Sequence, residues 1–424
     1  MRSLLSTTLA AALAFAAAGD ARAQAPDTAQ LAELYRRHDC FAAREALAAA
    51  PGGAPELGFY RGWVAAAFNH PDSAAAELRR YLASSSASAD AERSRAAREL
   101  LGDVLVRQFR YGEAADAYAA VAATAPDSAR EDMANNVALF GALRGVPAQA
   151  VSFAGDVDVP TTRDRANLIN LPVQAGGVTQ DFIFDTGANL STVVESAARA
   201  MGFRMIDQAV QVGSITGRRT VAHLAVAPEL RIGAATVRNV IFLVFPDSAL
   251  AFPQIGYQIH GILGAPVIQA LGEVTLTREG RLLVPARPGA AVAGGEPNLC
   301  LDGLDNLVRA TVGGEPLLFG FDTGARTSRL FGAYYERHRA QVEAGEAKTA
   351  QLGGAGGMRS VRAFTIGPVE FGVGGATANL QHVDVMTEPT GMRSRYAFGD
   401  IGQDVVAAFA AMTLDYRAMQ LRFR

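Results

Sequence analysis

Gly176-Gly177-Val178-Thr179-Gln180-Asp181-Phe182-Ile183-Phe184-Asp185-Thr186-Gly187-Ala188-Asn189-Leu190-Ser191 returns, in register, as Gly313-Gly314-Glu315-Pro316-Leu317-Leu318-Phe319-Gly320-Phe321-Asp322-Thr323-Gly324-Ala325-Arg326-Thr327-Ser328. The offset is 322 − 185 = 137. It holds for the paired glycines, both phenylalanines, the Asp-Thr-Gly-Ala core and the closing serine. A glycine turn, an apolar strand and an acidic turn, written twice, let one chain bring two carboxylates face to face.

The repeat continues beyond the aspartates. Gln211 to Val221 answers Gln351 to Val361 at an offset of 361 − 221 = 140. Ile232-Gly233 answers Phe371-Gly372 at 371 − 232 = 139. Gly261-Ile262-Leu263-Gly264 answers Gly399-Asp400-Ile401-Gly402 at 399 − 261 = 138. Elements in one order at nearly one offset predict a duplicated unit and two structurally equivalent lobes.

Outward from the repeat, the composition sets bounds. The chain has 424 residues, half of them hydrophobic, and a formal net charge of −3. That length holds two to four domains, each able to bury a core. Near-neutral charge gives no electrostatic footprint for nucleic acid or an anionic membrane. The six histidines form no metal-ligand cluster, and no cofactor motif occurs, so neither metal nor cofactor is expected. Cys40 and Cys300 have no metal-ligand or Cys-x-x-Cys spacing, and a bridge and two separate thiols both remain open.

The N-terminus reads as an export signal over residues 1–23. Arg2 gives the positive start, Leu4 to Ala18 the apolar stretch, and Ala21-Arg22-Ala23 the small-x-small cut site. The expected location is periplasmic or extracellular, with no stable membrane anchor once the signal is removed. Residues 24–153 are Ala-rich, with Leu, Glu and Arg at helical spacing. Leu101-Gly102, Leu105, Ala114, Tyr118, Val121 and Pro126 stand where tetratricopeptide repeats place their packing residues. A weaker copy holds Gly62, Ala74, Leu78 and Tyr81, spaced 102 − 62 = 40 residues earlier. The polar run Ser84 to Ser88 absorbs the excess over a 34-residue repeat. From about residue 160 Val, Ile, Phe and Gly rise in short alternating runs, the pattern of an all-β region. A Pro/Gly/Ala linker at 286–298 divides it into lobes at 160–285 and 299–424.

Each lobe resembles the pepsin/retropepsin family of aspartic proteases, and the Asp-Thr-Gly-Ala form is especially similar to retropepsin-like domains. The resemblance covers roughly residues 160–424. It implies an all-β, two-lobed, pseudo-twofold aspartic protease fold behind an all-α helical repeat, acting on peptide or protein substrates. Asp185 and Asp322 are then the catalytic pair. Two carboxylates at hydrogen-bonding distance share one proton, and a water between them is activated without metal or covalent intermediate. Gly187 and Gly324 allow tight backbone geometry and aim N–H groups at the carboxylates. By resemblance, Thr186 and Thr323 bond across the lobe interface, and Ser191 and Ser328 are outer partners of the carboxylates. The segments around Ser214-Ile215-Thr216 and Gly354-Ala355-Gly356 resemble hairpin flaps that close over an extended peptide.

One departure stands out. Asp400 occupies an apolar position of the second apolar-Gly element, as a satisfied polar residue at a strand edge or as a perturbation of the lobe. His260 reads as a turn residue, and no Gly-x-Ser-x-Gly elbow competes. Two other readings stay open: a non-catalytic peptide-binding module whose helical repeats recruit a protein partner, and lobes that pair between chains. The helical repeats themselves have three roles open: partner binding, docking on the lobes, or covering the cleft.

Overall fold

The computed structural model describes residues 27–48, 54–213, 219–253, 256–287, 295–354, 357–391 and 393–424. The expected signal and its cut site lie outside the described residues, as do Ser214, Ile215, Thr216, Ala355 and Gly356.

The N-terminal region is helical and the remainder mostly β. Three helical hairpins come first: Thr28–Arg36 with Cys40–Ala48, Gly58–Ala67 with Pro71–Leu82, and Ala91–Arg107 with Tyr111–Ala122. Their corners are built alike. His38, Asn69 and Phe109 adopt left-handed φ angles of 53°, 59° and 58°. The next N–H then reaches back to an open carbonyl: Asp39 to Leu34 at 2.9 Å, His70 to Ala65 at 2.8 Å, Arg110 to Leu105 at 2.9 Å. This satisfies carbonyls that a helix end otherwise strands.

Two hairpins pack through glycine. A Cβ on Gly62 would sit 2.7 Å from the Leu78 side chain, and one on Gly102 2.6 Å from Tyr118. The first hairpin carries Leu31 at the equivalent place, seven residues before its corner (38 − 31 = 7), so the glycine pattern could not reveal it. The polar run between the second and third hairpins forms a short helix, Ser85–Ala89. Asp127–Ala142 closes the helical region.

Two large sheets follow, of nine and ten strands. In the first, Val178–Phe184 runs parallel to Gly261–Leu263, pairing Ile183 with Ile262 and Phe184 with Leu263. In the second, Glu315–Phe321 runs parallel to Gly399–Ile401, pairing Gly320 with Asp400 and Phe321 with Ile401. The strand after each acidic turn lies antiparallel on the other side of that short strand: Thr192 opposite Ile262, and Arg329 opposite Asp400. Every partner keeps the sequence offset to within one residue. Asp400 therefore lies inside its sheet, flanked by strands on both sides, and the expected strand edge is corrected.

A third sheet joins the halves through Glu273–Thr277 and Ala411–Asp415. These segments, Glu-Val-Thr-Leu-Thr and Ala-Met-Thr-Leu-Asp, are copies at 413 − 275 = 138. They pair antiparallel with Thr275 directly opposite Thr413, and the two hydroxyls meet at 2.8 Å. Two copies of one strand paired about equivalent residues define a local twofold between those threonines.

One expected equivalence fails. Gly233 makes the tight turn between Arg219–Ile232 and Ala235–Phe245 with φ 56°. Its counterpart is Gly374, φ 57°, in the turn between Val369–Val373 and Ala376–Leu380, while Phe371-Gly372 lies within a strand. The turn needs left-handed backbone, so its position follows the permissive glycine rather than the best residue match.

The helical region docks on both halves. A Cys40–Cys300 disulfide joins it to the second, with His38 Nδ1 3.0 Å from Asp302 beside it. Arg309 lies over the Phe41 ring at 4.4 Å, and Asn69 donates to the Tyr416 carbonyl at 2.8 Å. Against the first half, the Asn135 amide makes two bonds with the backbone of Gln211, at 2.9 and 2.8 Å. Arg219 pairs with Glu131 and Asp132.

Candidate active site

Each acidic loop leaves the end of a buried strand. Phe182, Phe184, Phe319 and Phe321 are almost wholly buried and fix where the loops emerge. The loop is then pinned by the apolar-Gly strand beside it. Asp185 N–H donates to the Leu263 carbonyl at 3.1 Å, and Asp322 N–H to the Ile401 carbonyl at 3.0 Å. Ala265 N–H reaches the Ala188 carbonyl at 2.8 Å, and Gln403 N–H the Ala325 carbonyl at 2.9 Å. Gly264 and Gly402 leave room for this crossing: a Cβ would lie 2.7 Å from the Ala188 oxygen and 2.8 Å from the Ala325 oxygen.

The two loops then lock together. Thr186 Oγ1 donates to the Phe321 carbonyl at 2.8 Å and accepts from Thr323 N–H at 3.0 Å. Thr323 Oγ1 donates to the Phe184 carbonyl at 2.7 Å and accepts from Thr186 N–H at 3.0 Å. Both threonines are buried, so every one of these groups is satisfied only across the seam. The carboxylates consequently face each other. A Cβ on Gly187 would lie 2.5 Å from Asp322 Cγ, and one on Gly324 2.5 Å from Asp185 Cγ. Glycine is required at both places because each carboxylate occupies the volume a side chain would take. Gly187 N–H donates to Asp185 Oδ1 at 2.8 Å and Gly324 N–H to Asp322 Oδ1 at 2.9 Å. Both loops come from one chain, so the pair needs no second copy.

Each carboxylate keeps some surface open to solvent, yet its surroundings are protein. Burial, and next the Asp322 charge, push the Asp185 carboxyl up to about 7, against the Gly187 N–H and the Arg393 guanidinium. Burial also raises Asp322, followed by Asp400, with Arg393, Arg329 and Gly324 opposing. Two acids that interact this closely titrate as a pair. Near neutral pH such a pair holds one proton and one negative charge, an acid and a base side by side.

A family model described as aspartyl protease matches residues 171–267. The matched segment contains the Asp185 loop, its strand and the Gly264 element. No curated protein matches the chain.

Of the residues expected at the site, Asp185, Asp322, Thr186, Thr323, Gly187 and Gly324 come together. Ser191 and Ser328 take another place. Ser191 Oγ accepts from Gly264 N–H at 3.1 Å, and Ser328 Oγ accepts from Gly402 N–H at 2.9 Å. They tie the turn after each aspartate to the apolar-Gly element instead of touching the carboxylates. Ser328 is further held by Asp404, through its hydroxyl at 2.6 Å and its N–H at 2.8 Å. Gly354 pairs with Gly357 at the end of the hairpin Glu346–Gly354/Gly357–Ile366. Gly213 pairs with Arg219 in the corresponding first hairpin. Each of these segments is therefore the stem of a hairpin, and the tips that carry the other expected flap residues lie outside the described residues. The His260 carbonyl accepts from Val194 N–H at 3.0 Å, a backbone role.

Sequence reasoning missed two amides. Asn306 Nδ2 donates to the Thr186 carbonyl at 2.8 Å, and Gln403 Nε2 to the Thr323 carbonyl at 2.6 Å. Arg163, from the first half, holds Gln403 in turn at 2.5 Å. Gln403 follows directly on the apolar-Gly motif, which was a usable signal. Asn306 has none, because it reaches the loop from a strand of the opposite half.

Proposed function

We propose that this chain is an exported aspartic endopeptidase with two retropepsin-like lobes and a tetratricopeptide-like helical domain. The observation that carries the reading is the reciprocal Thr186/Thr323 lock, which sets each carboxylate against the glycine of the opposite loop. The aspartyl protease match over the first loop supports it. The Cys40–Cys300 disulfide supports an oxidising compartment, in keeping with the N-terminal signal pattern.

In the proposed reaction the ionised member of the pair takes a proton from a water between the carboxylates. That water attacks the scissile carbonyl carbon while the protonated member gives its proton to the carbonyl oxygen. In the collapse of the tetrahedral diol, the carboxyl that took the water's proton gives it to the leaving nitrogen as the C–N bond breaks, and the other carboxylate takes a proton from a diol hydroxyl as the carbonyl re-forms. Burial raises both carboxyls, so the single proton held before attack belongs to the pair rather than to one named member. The hairpin stems at Gly213/Arg219 and Gly354/Gly357 are the proposed bases of two flaps over an extended peptide.

Denatured casein incubated across pH 3–7 tests the reading. Cleavage by the native protein that is lost in Asp185→Asn supports it. Intact casein at every pH, with peptide binding retained, would instead establish a binding module.

A further inference from the structure

The two halves differ directly beneath the loops. The first has an apolar pair, Ile183 beside Ile262; the second has Gly320 beside Asp400 at the same register. The volume vacated at Gly320 is filled from elsewhere in the chain. A Cβ there would meet Arg393 Cδ at 2.5 Å and Arg393 Nη1 at 2.6 Å, and would collide with the Asp400 carboxylate. Arg393 donates to Asp400 Oδ1 at 2.9 Å and to Asp305 Oδ1 at 2.7 Å. The Arg393 and Asp400 side chains are 14% and 3% exposed, so this ion triad is withdrawn from water.

Stability alone does not account for it. Taking charges out of water is costly, and packed apolar residues commonly serve as well or better. The molecule itself shows the apolar solution at Ile183 and Ile262. The charges lie against Gly320, which stands two residues before Asp322 on the strand that carries the second loop. Five carboxyl groups feel the Arg393 guanidinium: Asp185, Asp322, Asp400, Asp305 and Asp302. Arg329 faces Asp322 from the strand after the loop. Tyr396 and, from the helical region, His38 face Asp302 at the far end.

We infer that Arg393, held between Asp305 and Asp400 under the second loop, is a positioning residue that sets the charge state of the aspartate pair and makes its two members inequivalent. This rests on the aspartic-pair reading of the site but not on cleavage having been observed. Arg393 draws negative charge onto the pair; Asp400 repels it. Removing one or the other therefore moves the titration of the pair in opposite directions, which general damage to the fold cannot do.

The test uses full-length protein labelled with carboxyl-13C aspartate. The resonances of the pair are assigned from Asp185→Asn and Asp322→Asn and followed from pH 3 to 9. Arg393→Met is expected to raise the apparent titration of the pair by about one pH unit, and Asp400→Asn to lower it by a similar amount. Arg393→Lys keeps the charge and is expected to stay near the native value. Asp400→Asn preserves shape and a hydrogen-bonding group for Arg393, so it reports even where Arg393→Met does not fold. Titrations that stay within a few tenths of a unit of native, or that shift the same way in both variants, overturn the inference. Absence of peptide cleavage alongside opposite shifts would count against the protease reading and leave this inference standing.

Discussion

Thr186 and Thr323 each use one hydroxyl as donor and acceptor across the seam, so the loops are held by a group that an apolar side chain of the same shape cannot replace. Thr186→Val removes a donor to the Phe321 carbonyl and an acceptor for Thr323 N–H, both buried. The expected cost is about 2–4 kcal/mol, with Thr186→Ser close to native; equal denaturation midpoints for Val and native would contradict it. Asp185 makes a different prediction. Burial raises its carboxyl to about 7, so the folded state holds the proton more tightly than the unfolded chain. Stability tied to that proton is full below about pH 4 and is lost as pH rises toward 7. Asp185→Asn removes the ionisation, and at pH 8 it is expected to be more stable than native by on the order of 2 kcal/mol. A melting curve at pH 4 and pH 8 checks this; a native advantage at pH 8 would show the opposite sign.

At the scale of elements, the doubled Asp-Thr-Gly, its strand and the apolar-Gly element were legible because each is a local pattern repeated at one offset. The local twofold at Thr275 and Thr413 was equally present as Val-Thr-Leu and Met-Thr-Leu, but five-residue strands of this kind are common and the copy draws no attention without its pairing. The Arg393 triad left a fainter trace. Gly320 and Asp400 both depart from the repeat, and parallel pairing of their strands puts the two departures side by side. Nothing local says that the filler is Arg393. The serines were misplaced because spacing fixes which turn they belong to, not which neighbour they meet. In the helical region the glycines at 62 and 102 were readable, whereas Leu31 hid the first hairpin. Gly102→Val is expected to push against Tyr118 and cost about 1–3 kcal/mol, seen as an earlier loss of helical ellipticity; an unchanged transition would mean that the helices are free to separate.

At the scale of the molecule, the helical region is bound to both halves. The Cys40–Cys300 bridge spans 260 residues of sequence, and His38–Asp302 lies two residues from each cysteine. Replacing both cysteines by serine is expected to cost about 2–5 kcal/mol, read as a lower melting temperature that reductant no longer changes. If reductant leaves the native melting temperature untouched, the bridge contributes nothing to docking. The account as a whole depends on two loops of one chain forming a single site. Mixing purified Asp185→Asn and Asp322→Asn proteins in a casein-cleavage assay examines that directly. The account predicts that native monomer cleaves, that each variant is at least about a thousandfold slower, and that the mixture recovers nothing, because each molecule carries one damaged pair. Cleavage restored by mixing, or retained by either variant alone, would contradict it.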